Sequence, residues 1–211
     1  MTELPTDWSR ASLRELHIEA QPGFACGKHH RQGGGVAHLR PMNISREGSL
    51  TLDDVKYVDD DSARRVVAGD VLFNNTNSPP LVGKTAYVSV PEPLAFSNHM
   101  TRLRVQDDVI DARFLALQLH SLWGQGYFQR ICSNHVNQAS VATRKLLETV
   151  ITFPPLAEQR RIVAILEDHL SRLAVGEDSL RSVMVRSASL RKSLLSSAFS
   201  GSLADSSTGT L

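Results

Sequence analysis

The double proline Pro154-Pro155 opens a stretch that contains no further proline and only one glycine, Gly176, as far as Ala198. It is preceded by the short apolar run TVITF. A strand cannot run on through two prolines, because proline has no N–H for the ladder and turns the residue before it away from the helical region. The same residues suit the entrance to a helix, and Glu158 then falls in the first turn, where the helix dipole favours an acid. A helix is therefore expected from Leu156 to about Ala198, about 65 Å long at 1.5 Å rise per residue, with Phe199-Ser200-Gly201 as a glycine stop. In one seven-residue register, Leu166, Leu173, Leu180, Ser187 and Leu194 share a position, and His169, Gly176, Val183, Leu190 and Ser197 share its partner. Ile162, Ile165, Leu170 and Leu195 widen the stripe beyond a strict two-position seam. A long helix that is only half apolar is not stable alone in water, so the seam Leu166, Leu173, Leu180, Val183, Leu190, Leu194 is expected to pair with another helix. Arg160, Arg161, Arg172, Arg181, Arg186, Arg191 and Lys192, set against Glu158, Glu167, Asp168, Glu177 and Asp178, read as its wet face.

The residues before Pro155 have a different grain. Short alternating runs (VAHLRP, SLTLDDVKYV, DVLFNN, TAYVSV, MTRLRV, TVITFP) alternate with breaks such as RQGGG, VDDDS and NSPPLVG, and read as strands. One patch, DARFLALQLHSLWGQGYFQRIC, carries Phe114, Leu115, Leu117, Leu119 and Leu122 on a helical face. The expected fold class is thus α+β: a mixed, largely antiparallel-sheet domain over 1–153, a long C-terminal coiled-coil-forming helix over 154–203, and a small polar tail over 204–211 that reads as disordered.

Composition narrows the function. At 41% hydrophobic and 21% charged, the chain has the make-up of a globular protein. It has no run of eighteen apolar residues and no basic-then-apolar start, so a cytoplasmic location without membrane contact is expected. Cys26 and Cys132 stand alone, at neither metal-ligand nor disulfide spacing. The net charge is +1, with 16 basic against 16 acidic residues up to Pro155 and 7 against 6 beyond it. Nucleic-acid binding would therefore rest on local basic patches and would be weak for this chain alone. Signs of catalysis are lacking. Pro79-Pro80 lies between Ser78 and Leu81 rather than in an Asn-Pro-Pro-aromatic run, Gly33 to Gly35 have no helical pattern behind them, and Asp59 to Asp61 read as a solvated turn. No catalytic residue, metal ligand or cofactor is expected.

Five blocks in order, GDVLFNNTNSPPLVGKTAYV, AFSNHMTRLRV, RFLALQLHS, PPLAEQRRIVAILE and LRKSLLSSAFSGSL, together with the opening LPTDWSRASLREL, resemble the specificity subunit of type I restriction-modification systems. The resemblance implies a DNA reader without chemistry of its own. Family members carry two target recognition domains, each followed by a long helix. The helices pack as an antiparallel coiled coil that sets the distance between two half-sites, methylation subunits dock around it, and restriction subunits add the nuclease. This sequence has one recognition domain and one helix, so it resembles a half-length specificity subunit or a fragment of a longer one. As a half, it is expected to form a homodimer through the helix and to read a split palindrome in double-stranded DNA.

Candidate DNA contacts fall in polar loops, each with a plainer reading beside it. Lys28, His29, His30 and Arg31 in GKHHRQGGG form either a flexible basic loop for a groove or a solvated turn. Arg40, Asn43 and Arg46 follow a short strand, where they are either contacts or ordinary surface. In FNNTNSPPLVGK, Asn75 and Thr76 could meet bases or phosphates, Asn74 and Asn77 read as turn formers, and Lys84 is the favoured phosphate ligand. The resembled family often has arginine where Asn75 stands, so that position is a departure. Arg130, Asn134, Asn137 and Gln138 lie in or beside a polar loop between helix and strand, which either reads bases or holds backbone turns. The rival to DNA recognition is a coiled-coil interaction module, or orphan half-subunit, that dimerises without specific DNA binding.

Overall fold

In the computed structural model the described residues are 5, 7–31, 34–59, 62, 64–106, 108–136 and 138–200. The expected tail and the Gly201 stop lie outside them. The strand that meets the double proline is real: Val150–Phe153 pairs antiparallel with Ser9–Ser12, aligning Ser9 with Phe153. Pro154 is buried, and the Pro155 carbonyl accepts the Glu158 and Gln159 N–H groups at 2.9 and 3.1 Å, which opens a single helix, Leu156–Phe199.

In chain order the strands are β1 (Ser9–Ser12), β2 (Glu19–Pro22), β3 (Val36–Leu39), β4 (Lys56–Val58), β5 (Val71–Asn74), β6 (Thr76–Asn77), β7 (Thr85–Tyr87), β8 (Ala95–Phe96), β9 (Met100–Arg104), β10 (Ser133–His135), β11 (Gln138–Ser140) and β12 (Val150–Phe153). The α-helices are α1 (Ala112–Gly124), α2 (Tyr127–Ile131), α3 (Thr143–Leu147) and α4 (Leu156–Phe199), and a 3-10 turn covers Pro41–Asn43. The central sheet has the order β2-β9-β5-β7, antiparallel throughout. A second sheet, β4-β3-β8, includes the parallel pair β3–β8, and a third runs β10-β11-β6.

The run VLFN shows how the layers form. All four side chains of β5 are buried, but alternation along a strand sends Val71 and Phe73 to one face and Leu72 to the other. Val71 and Phe73 join the larger core, with Leu103 from β9, Phe114, Leu115 and Leu119 from α1, and Phe128 from α2. Leu72 joins the smaller core, with Leu39, Phe96, Ala86 and Met100. The central sheet is therefore the middle layer between the helices and the second sheet. Phe128 meets Phe73 edge-on, with ring centroids 4.9 Å apart, and lies so close to Gly83 (φ +98°) that a Cβ there would fall 2.5 Å from the ring. No larger residue fits at that turn.

Asp111 caps α1, its Oδ1 accepting from the N–H groups of Arg113 at 2.9 Å and Phe114 at 3.1 Å. The compact unit continues to Val163, so the first two turns of α4 belong to it, and a second unit begins at Ala164. Val163 and the half-buried Ile162 pack on the larger core.

Two sequence readings are corrected. Of SLTLDDVKYV only Lys56–Val58 is a strand, because Asp53-Asp54 break the run and its first half serves as a loop tied to Asn43. The segment around Asn134 and Gln138 is a β-hairpin rather than a loop: its strands pair Ser133 with Ser140, and β11 pairs with β6.

Candidate nucleic-acid interface

The basic stretch after Gly27 is not the free loop its glycines imply. His30 exchanges both backbone hydrogen bonds with Tyr57, at 3.1 and 2.9 Å, and its ring stacks on the Tyr57 ring at 6.3 Å. Its Nε2 lies 3.6 Å from Asp59 Oδ1. His29 Nε2 shares a hydrogen bond of 3.0 Å with Nδ1 of His38, a fully buried ring on β3. Burial first, then the cations Lys56 and Arg40 and the neighbouring His30, push the His29 ring below its ordinary value. That suits a ring engaged as a neutral hydrogen-bonding partner. Both histidines are therefore half-buried struts, while Lys28 and Arg31 on either side are exposed. Phe24, Cys26, Lys28, His29, His30 and Asp59 line an open cleft of about 560 Å³.

The segment from Arg40 to Leu50 is braced along its length. Asn43 is buried: its Oδ1 accepts the Arg40 N–H at 2.9 Å and its Nδ2 donates to the Thr51 carbonyl at 3.0 Å. Arg40 Nη2 donates to the Asp54 carbonyl at 3.0 Å. Ser45 Oγ accepts from the N–H groups of Glu47 and Ser49. Arg46 is exposed at the apex. Lys84, expected as a phosphate ligand, is instead only 6% exposed and donates to the Ile44 carbonyl. Burial, reinforced by Arg46, pulls its ammonium below the usual lysine value.

Asn75 is likewise internal. Its Nδ2 donates to Thr101 Oγ1 at 2.8 Å and to the Asn98 carbonyl, while its Oδ1 accepts from Thr76 Oγ1 at 2.8 Å. Asn74 donates to the Leu81 carbonyl at 3.1 Å, in line with a turn former. Asn43, Asn75 and Lys84 thus leave the DNA-facing set, because each spends its polar atoms on buried backbone or side-chain partners. Thr76 joins the hairpin sheet, where Asn134 and Gln138 are exposed. Asn134 accepts from Cys132 Sγ at 3.4 Å. Arg130 is exposed, with one nitrogen on the Gln125 carbonyl at 2.9 Å. Asn137 lies outside the described residues. The exposed candidates are therefore Lys28, Arg31, Arg46, Arg130, Asn134 and Gln138, with half-buried Thr76 in the hairpin sheet. Among the described residues no three His, Cys, Asp or Glu side chains gather as metal ligands, and no helix is long and apolar enough to cross a membrane.

Two anchoring residues carry no local sequence signal. Gln159 is fully buried: Oε1 accepts the Asp111 N–H at 2.8 Å, and Nε2 donates to the carbonyls of Pro154 at 2.8 Å and Val109 at 2.9 Å. It ties the start of α4 to the cap of α1. His120, in the middle of the apolar run LQLHSLW, reaches the Arg46 carbonyl. Apart from the Pro154 carbonyl, the partners named here are 48 to 74 positions away, so nothing nearby in the chain marks these two residues as anchors.

In the helix from Ala164 onward, Leu166, Leu173, Leu180, Val183, Leu190 and Leu194 are each between 40% and 66% exposed. Neighbouring charges pair along the helix: Arg172 with Asp168 at 2.9 Å, and, one turn before the unit begins, Arg161 with Glu158 at 2.7 Å.

Relatives point the same way. A specificity subunit described for the type I restriction enzyme MjaX of Methanocaldococcus jannaschii is 30% identical over 172 residues, 79% of this chain and 40% of its own length. The type I restriction enzyme StySPI specificity subunit of Salmonella potsdam is 29% identical over 205 residues, 93% of this chain and 43% of its own. The chain thus spans less than half the length of either relative. Among solved structures, a chain from work on complex assembly and conformational transition of the type I R-M system matches 94% of this chain and 47% of its own, with a TM-score of 0.74 and 21% identity. The HsdS subunit from Thermoanaerobacter tengcongensis matches 82% of this chain and 40% of its own, with a TM-score of 0.61 and 21% identity. At these identities the two structures speak for the fold alone. The type I restriction modification DNA specificity domain matches residues 28–180, from the basic stretch through the double proline and well into the long helix, and on that match the chain belongs to the specificity-subunit family of type I restriction-modification systems.

Proposed function

We propose that this chain reads one half of a bipartite duplex DNA site for a type I restriction-modification enzyme and performs no chemical step itself. In this reading the domain up to Val163 meets DNA through Lys28, Arg31, Arg46 and the Asn134–Gln138 hairpin. The helix beyond pairs with a second copy of itself and offers docking ground for methylation subunits, with restriction subunits joining that assembly in the cytoplasm. The observation that carries the reading is the family match over residues 28–180, which takes in recognition domain and helix together. The exposed leucine seam supports the pairing, since several half-exposed leucines on one helix face are what a partner helix would cover.

Selection from a randomised duplex pool tests it, using the full chain with and without its methylation subunit. Enrichment of two copies of one short motif, inverted and at fixed spacing, is expected, with binding that weakens steeply as salt rises. The near-neutral charge, +1, favours a second reading: an interaction module that dimerises and docks without reading DNA. Dimerisation with no enriched motif under either condition would decide for that alternative.

A further inference from the structure

His120 lies on α1, and each of its ring nitrogens has a partner. Nδ1 faces the Thr85 backbone N–H at 3.5 Å, and Nε2 faces the Arg46 carbonyl at 3.0 Å. A backbone N–H only donates and a carbonyl only accepts, so the network fixes the tautomer: Nδ1 bare, Nε2 protonated. The ring also fills the space under Gly48. Gly48 has φ +82°, and a Cβ there would fall 2.9 Å from the ring's Cγ. On its other side the ring packs against Trp123 at 4.9 Å between centroids. A second tie reaches the same turn, from Lys84 Nζ to the Ile44 carbonyl. His120 is on α1 and Lys84 leads into β7 of the central sheet, so these two polar contacts tie the turn that carries exposed Arg46 both to the helix layer and to the sheet.

We propose that His120 is a positioning residue, whose ring in this one tautomer holds the Ser45–Gly48 turn against α1 and β7 and so fixes where Arg46 is presented to DNA, and that protonation at Nδ1 parts the ring from the Thr85 N–H of β7 while Nε2–H keeps its hold on the Arg46 carbonyl. The DNA part of this rests on the proposed function above. The charged groups facing the ring are Glu47 from the turn and Lys84 from the lead-in to β7, while Arg46 meets it through its backbone carbonyl. Burial, with Lys84, holds the ring below its ordinary 6.5, against the Arg46 carbonyl and Glu47, which favour the charged form. The Thr85 N–H needs a lone pair to donate to, and so favours the neutral ring. The direction follows. The Thr85 contact is intact above pH 6.5 and is lost as pH falls below that value through the lowered value of the folded state, whereas the Nε2–H contact to the Arg46 carbonyl persists in both forms.

The test uses the full chain, and compares wild type, H120Q, H120N and R46A. Glutamine can still donate to the Arg46 carbonyl from the Nε2 position, whereas asparagine can replace only the Nδ1 contact. Two readouts are taken from pH 8 to pH 5: the ring nitrogen shifts of His120 with amide exchange at Thr85 and across 45–49, and affinity for a randomised duplex pool. Expected are the bare-Nδ1 tautomer, loss of exchange protection at Thr85 but not at 45–49 as the ring titrates below 6.5, and about tenfold weaker duplex binding for R46A and H120N, with H120Q near wild type. The opposite tautomer, titration at the free-imidazole value, or H120N behaving as H120Q would overturn the positioning role. If R46A binds the pool as wild type does, the claim that the turn meets DNA falls, while the tautomer and exchange readouts still decide the clip.

Discussion

Up to Val163 most of the large apolar side chains face inward, and among the described residues from Ala164 onward they face water. Leu119 and Leu115 on α1 are fully buried, whereas Leu173 and Leu180 on α4 are more than 60% exposed. Both helices are long enough to form regular hydrogen bonding, so the difference lies in what covers them. α1 has the central sheet beneath it and a side-chain cap at its start. The later turns of α4 carry i,i+4 charge pairs such as Asp168 with Arg172, each worth a few tenths of a kcal/mol. In the proposed reading the domain carries its own stability, and the helix beyond it depends on association.

The largest effect should come from breaking the exposed half of this comparison. Leu173→Glu with Leu180→Glu should weaken self-association more than a hundredfold, at roughly 1.5–3 kcal/mol per leucine removed from an apolar interface. Sedimentation equilibrium would read it, and the unfolding transition of the domain should stay in place. Breaking the buried half should do the reverse. Leu119→Ala should lower the domain's unfolding free energy by about 3 kcal/mol in urea titration while leaving association intact. Gln159→Ala attacks the boundary and removes the fully buried side chain that serves three backbone partners, so a loss of about 2 kcal/mol is expected, again by urea titration. The smallest effects belong to the surface. Lys28→Ala and Arg31→Ala should each lower the salt slope of duplex binding by about one, whereas Lys84→Met should leave that slope unchanged because the ammonium is spent on Ile44. An altered slope for Lys84→Met would return that residue to the DNA-facing set.

The long helix was legible in the sequence because its signals are local: a proline pair, a first-turn acid, and a seven-residue rhythm. The apolar runs VLFN, TAY and MTRLR were legible as strands for the same reason. SRAS, EAQP and the hairpin strands SNH and QAS were not. They are short and polar, and they become strands only through partners far along the chain, as Ser9 does with Phe153. The candidate interface was half legible. Polar loops could be named, but burial sorts them, and burial is a property of the assembled layers. That is why Asn43, Asn75 and Lys84, chosen for their chemistry, are internal braces, and why His120, hidden in an apolar run, lies under the Arg46 turn. Lys28, Arg31 and Arg46 keep both the chemistry and the exposure that contact with DNA requires.

The claim that the helix is half of a paired element is tested most directly by the solution mass of the full chain, from light scattering behind size exclusion across a wide concentration range. The account predicts twice 23.2 kDa, falling to 23.2 kDa for the Leu173→Glu, Leu180→Glu variant with the domain still folded. A mass of 23.2 kDa for the wild type at every concentration, with the helical signal of α4 undiminished, would contradict it.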